Sequence, residues 1–73
     1  MKHEISLIDY VEQGNSIYIQ LTVFDGNLQQ NFQNEVRFLG ELLYGELVHP
    51  KASPLTESCR LEVIAYLKKY FNR

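Results

Sequence analysis

The chain has a single cysteine, Cys59, and no tryptophan. A lone cysteine excludes an internal disulfide. It also leaves His3, His49 and Cys59 as the only soft metal donors, and no two of them share the short spacing of a zinc site. No metal and no cofactor are therefore expected. Glycine numbers four and proline two, and the glycines are scattered, so no phosphate-cradling loop is present. No lysine or arginine stands between Lys2 and Arg37, which removes the positive groove that nucleic-acid affinity normally rests on. No apolar run approaches the roughly 20 residues of a membrane-spanning helix. Met1-Lys2-His3-Glu4 leads into alternating residues rather than an apolar stretch, so no signal peptide is expected and a reducing cytoplasm is the natural location.

What is present is enough for one small domain spanning residues 1–73. Apolar residues make up 45% of the chain, too many for a disordered polymer. A domain of this size buries only about 60% of its unfolded surface. Such domains usually add a disulfide, a metal or a partner subunit, and with the first two set aside, a homodimer is expected.

Net charge is −2, unevenly spread. Residues 1–48 carry two cations against seven acids, a net −5, and residues 49–73 carry five cations against two acids, a net +3. Lys51, Arg60, Lys68, Lys69 and Arg73 supply the positive end. Cations at a helix C-terminus complement its dipole, and the same group is the candidate contact for an acidic partner or nucleic acid.

Alternation dominates the first half. Ile17, Ile19, Leu21 and Val23 alternate with Tyr18, Gln20, Thr22 and Phe24, the period of a strand with one buried face. Asp25-Gly26 suits a two-residue type I′ turn. It would pair Val23 with Leu28, Leu21 with Gln30 and Ile19 with Phe32, making residues 27–34 a third strand rich in amides. If that strand is an edge, it lacks the lysine or proline that usually defends one. Residues 3–11 read as the first strand, followed by a turn at 12–15. A type I turn closing on Gly14 would set Ile5, Leu7 and Val11 beside the core face. A two-residue Gly14-Asn15 loop would instead set Ile8 and Tyr10 there.

The second half reads as helical. Asn34 is a good N-cap, and Val36, Leu39, Leu42 and Leu43 fall at helical spacing, predicting a helix over 35–44 that ends at Gly45. A last helix is expected over 54–71, with Ser53-Pro54 as cap and first residue and Thr56 as the alternative cap. Leu55, Cys59, Val63, Tyr66 and Tyr70 form its apolar stripe. The expected fold is therefore α+β: a three-stranded antiparallel meander followed by two α-helices packed on one face (βββαα). That order is generic and points to no family.

No constellation for catalysis stands out. Cys59 lies on an apolar stripe with no adjacent base, His49 precedes a proline in a loop, and His3 lies near the terminus. Glu41 and Glu46, and Glu57 and Glu62, are spaced by five, off a common helical face. Tyr18 and Phe24 share the polar sheet face, and Tyr66 and Tyr70 sit one turn apart on an over-apolar helix. These four are the expected protein-interface residues, since aromatics favour interface cores. Strand three, or Tyr66 and Tyr70, would form the homodimer contact. The expected function is a non-enzymatic protein-binding module, of inhibitor, adaptor or regulatory-subunit type. The alternative is a nucleic-acid-binding accessory protein using Arg60, Lys68, Lys69 and Arg73 on the basic C-terminal helix.

Overall fold

The structure is a computed structural model that describes residues 2–73. Four antiparallel strands form one sheet in the order β1-β2-β3-β4: β1 Glu4–Gln13, β2 Ser16–Asp25, β3 Gln30–Leu39 and β4 Leu42–Tyr44. A 3₁₀ turn, Glu46–Val48, leads through residues 49–56 to the one helix among the described residues, α1 Glu57–Phe71. The class is α+β, as expected, but with four strands and one helix in place of three and two. Among the described residues no helix is long and apolar enough to cross a membrane.

The first helix expected over 35–44 is instead the second half of β3, a turn and β4. Val36 and Phe38 are fully buried, while Glu35, Arg37 and Leu39 face solvent. This is a period of two, overlaid on a spacing that also fits a helix. Gly40 takes φ 65° in the two-residue loop between the paired Leu39 and Leu42, a conformation glycine reaches without steric cost. Gly45 does not end a helix. It sits at φ 146°, a conformation other residues rarely adopt, and an added Cβ would press on Val36, its side chain first.

The hairpin between β2 and β3 is also wider than Asp25-Gly26 suggests. Asp25 pairs with Gln30 across a loop of residues 26–29, and Gln29 takes φ 53°. The register becomes Val23 with Phe32, Leu21 with Asn34, Ile19 with Val36 and Ile17 with Phe38. The displacement is an even number of residues, so each strand keeps its face. Leu28 drops out of the core and is 43% exposed. Val36 and Phe38 take up core positions on β3.

In β1 both readings of the first turn are partly right. Gln13 pairs with Ser16 across the Gly14-Asn15 loop, which brings Tyr10 opposite Ile19. A bulge between Leu7 and Asp9 leaves Ile8 unpaired and restores Leu7 to Leu21 and Ile5 to Val23. Val11 is thereby turned to the outer face, opposite Tyr18. One extra residue in one strand reverses the alternation beyond it.

α1 lies across the core face. Cys59, Val63 and Leu67 are buried against Ile17, Ile19, Leu21 and Val23 of β2, with Leu47, Val48 and Leu55 closing one side. Thr56, not Ser53, is the N-cap. The Ser53 hydroxyl donates to the Leu47 carbonyl at 2.6 Å and accepts the Leu55 N–H at 3.1 Å, which holds the connection before the helix. Asn72 closes α1 in the left-handed region, and Arg73 N–H returns to the Lys68 carbonyl, a common helix-ending hydrogen bond.

Candidate functional site

Three features stand out: a buried polar cluster, the open face of the sheet and an aromatic patch beside α1.

The buried cluster is centred on Asp25, the last residue of β2, which has no exposed surface. Its Oδ1 accepts the Asn27 N–H at 2.9 Å and the Leu28 N–H at 3.4 Å. Its Oδ2 accepts the Thr56 N–H at 2.7 Å and the Thr56 hydroxyl at 2.8 Å. Burial pushes the carboxyl pKa up, but the donors from Thr56, Asn27 and Leu28 outweigh it and hold the group below its ordinary value. His3, Asp25 and Cys59 bring potential ligand atoms within 4.8 Å of one another. Sequence spacing could not reveal this, because the three residues come from the chain start, β2 and the first turn of α1.

That grouping has the composition of a metal site or of a cysteine nucleophile with its base. Its lone pairs, however, are already engaged. The Gly26 N–H donates to His3 Nδ1 at 2.9 Å, and His3 Nε2 lies 3.3 Å from the Ser58 hydroxyl. His3 Nδ1 and Asp25 Oδ1, 3.5 Å apart, are then two acceptors rather than an ion pair. The Cys59 thiol is pushed up to about 11 by burial, by the charges of Asp25 and Glu62 and by its hydrogen bond to Asp25. A thiol held protonated is a poor nucleophile. The arrangement ties the β2–β3 loop and the chain start to the N-terminus of α1. Asn27 reinforces the tie, with its side-chain amide donating to the Thr56 and Ser58 hydroxyls at 2.9 and 3.0 Å.

The second feature is the sheet face turned away from α1. Val11, Tyr18, Arg37 and Tyr44 are successive partners across β1, β2, β3 and β4, forming one row over the whole sheet. The neighbouring row ends in Leu39 and Leu42, which are 40% and 61% exposed. Phe24 lies two rows beyond Gln20, opposite Glu4 and Asn31, in a shallow groove with Ser6 and Thr22. Its volume of about 180 Å³ is below the usual small-molecule range. Glu4, Asp9 and Glu35 share this face with Arg37, so it is acidic. Glu35 accepts a hydrogen bond from the Gln20 amide at 3.2 Å.

The third feature joins the other two expected interface residues to one that the sequence did not single out. Tyr66 and Tyr70 stack with centroids 6.0 Å apart, and Tyr10 of β1 meets Tyr70 edge-on at 6.5 Å and Phe71 at 5.1 Å. Tyr70 is 53% exposed and Tyr10 40%. Tyr18 and Phe24 therefore lie on one side of the sheet and Tyr66 and Tyr70 on the other, as two surfaces rather than one.

The basic residues are also dispersed. Arg60 stands near the start of α1, beside Lys51, in a groove with Pro50, Ser53, Leu55 and Glu57. Lys68 and Lys69 are exposed at its far end, about 12 Å of helical rise away. Arg73 is engaged: its guanidinium donates to the Asn15 carbonyl at 3.0 Å and the Gly40 carbonyl at 2.7 Å, and lies 5.8 Å above the Phe38 ring. It clips the helix end to two hairpin loops.

No family model, curated protein or solved structure matches this chain.

Proposed function

We propose that this protein is a non-enzymatic protein-binding module and that the outer sheet face is its binding surface. The observation that carries the reading is the row Val11–Tyr18–Arg37–Tyr44, which crosses all four strands on the face that α1 leaves uncovered. Cross-strand packing accounts for side chains meeting within such a row. It does not account for the row remaining open to solvent beside Leu39 and Leu42. Tyrosine and arginine are the residues that most often anchor interfaces. Asp9 and Glu35 in the adjoining row, with Glu4 farther along the same face, favour a basic partner. The buried cluster supports the non-enzymatic part of the reading, because its lone pairs serve the fold. A reducing cytoplasm suits a chain whose one thiol is buried.

Nucleic-acid binding through Arg60, Lys68, Lys69 and Arg73 is less favoured, since Arg73 is held by two carbonyls and the other cations are split along α1. The test is affinity capture from native lysate, with and without nuclease, using the wild type, Tyr18→Ser/Tyr44→Ser and Tyr70→Ser. A stoichiometric protein that survives nuclease and is lost only with the Tyr18/Tyr44 pair supports the proposal. Recovery of nucleic acid that falls steeply with salt, or a protein lost only with Tyr70→Ser, overturns it.

A further inference from the structure

Among the described residues the sheet has two long strand edges without partners, and they differ in character. β1 is free along its outer side, but it carries Glu4, Asp9 and Glu12 and is broken by the bulge at Ile8. Charge and bulges are the usual protection of an edge. The second edge belongs to β3. β4 pairs only with Arg37, Phe38 and Leu39, so among the described residues no strand lies against the outer side of Gln30 to Val36. Gly45 occupies that side at Val36, and the 3₁₀ turn Glu46–Val48 that follows it also packs against β3. The stretch left open, Gln30-Asn31-Phe32-Gln33-Asn34, has no charge, no proline and no bulge.

We infer that this stretch pairs antiparallel with the same stretch of a second copy of the chain, with Phe32 opposite Phe32 of the partner subunit. A two-fold axis perpendicular to the sheet keeps each face on its own side, so a residue of one copy can lie opposite its own counterpart. Centring on Phe32 sets Gln30 opposite Asn34 of the partner subunit and Asn31 opposite Gln33 of the partner subunit. Every facing pair is then neutral, and amides can hydrogen-bond across the join. Centring one residue later, on Gln33, would bring the strand against Val36 and the segment at Gly45. Phe32 is only half-buried at the margin of the core, and the pairing covers it with its own counterpart. Two copies of β1 brought together would instead set acids against acids. The β3 edge thus fits a second copy, where the β1 edge repels one.

Pairing over five residues buries less than the standard interface of about 800 Å² per partner, so a weak, concentration-dependent association is expected. Sedimentation velocity across micromolar concentrations should show 8.6 kDa monomers giving way to dimers. Amide hydrogen exchange should show protection at Gln30–Asn34 that rises with concentration. Asn31→Lys/Gln33→Lys places two like-charge pairs across the join, at positions exposed in the monomer. It should weaken the dimer by roughly tenfold or more while the circular dichroism spectrum stays unchanged. Mixing it with Asn31→Glu/Gln33→Glu should restore a dimer containing one of each. A wild type that stays monomeric, or exchange at Gln30–Asn34 that ignores concentration, overturns the inference. So does a dimer that persists in the lysine variant, which would assign the contact to another surface.

Discussion

Asp25 and Thr56 join the two halves of the molecule: the carboxylate accepts both the backbone N–H and the hydroxyl of Thr56, at 2.7 and 2.8 Å. Thr56 is the N-cap of α1, yet its side chain makes no capping bond to its own helix. Its hydroxyl is turned to the end of β2, so the start of the helix is positioned by the sheet.

Asp25→Ala should therefore be among the most destabilising single substitutions in the chain. It leaves the N–H groups of Asn27, Leu28 and Thr56 without the acceptor that the buried carboxylate supplies. A loss of about 3 kcal/mol is expected, the scale of breaking a buried charged network. For a domain this small that corresponds to a fall in Tm of more than about 10 °C. Urea unfolding followed by circular dichroism checks it; a loss below about 1 kcal/mol would show that the cluster is not the tie described.

The acid limb of stability should carry the same signature. The folded-state pKa of Asp25 is depressed, so the folded state holds the charged form more firmly than the unfolded chain does. The resulting stability is fully present above the unfolded carboxylate value near 3.9 and is lost as pH falls through the lower folded value. Urea midpoints measured downward from pH 6 should drop steeply below about pH 4 in the wild type. The drop should be shallower in Asp25→Asn, which lacks the titrating group.

Cys59 should be silent to thiol reagents in the native state. It has no exposed surface, and its thiol is pushed up to about 11. Reaction with a disulfide reagent at pH 8 should proceed only as the chain opens, and denaturant should make it immediate. Rapid labelling without denaturant would mean that the first turn of α1 opens locally.

Gly45→Ala should cost about 1–3 kcal/mol, since φ 146° is a region other residues adopt only under strain and the new methyl meets Val36. Gly40→Asn should cost far less, because φ 65° is one that asparagine tolerates and nothing lies near an added Cβ. Comparing the two denaturation midpoints separates crowding from simple loop preference.

Strand β2, with its core face Ile17, Ile19, Leu21 and Val23, is determined by the sequence alone, because strict alternation of aliphatic and polar residues has one economical burial. The α+β class and the last helix follow from the same kind of periodicity. The stretch from Asn34 to Gly45 reads as a helix, and the structure makes it the end of β3, a turn and β4. Val36, Phe38, Leu39, Leu42 and Leu43 suit a helix by spacing and a hairpin by alternation at Val36 and Phe38. The choice falls to the hairpin because β2 presents a ten-residue edge whose backbone groups need a partner along their length, and β3 supplies one from Gln30 to Leu39. Tertiary structure likewise decided the bulge at Ile8, which puts both Leu7 and Tyr10 on the core side. It also made the meeting of His3, Asp25 and Cys59, since ligands drawn from three elements leave no spacing to read. Local pattern records which face a residue prefers; which residues meet across that face depends on contacts distant in the chain.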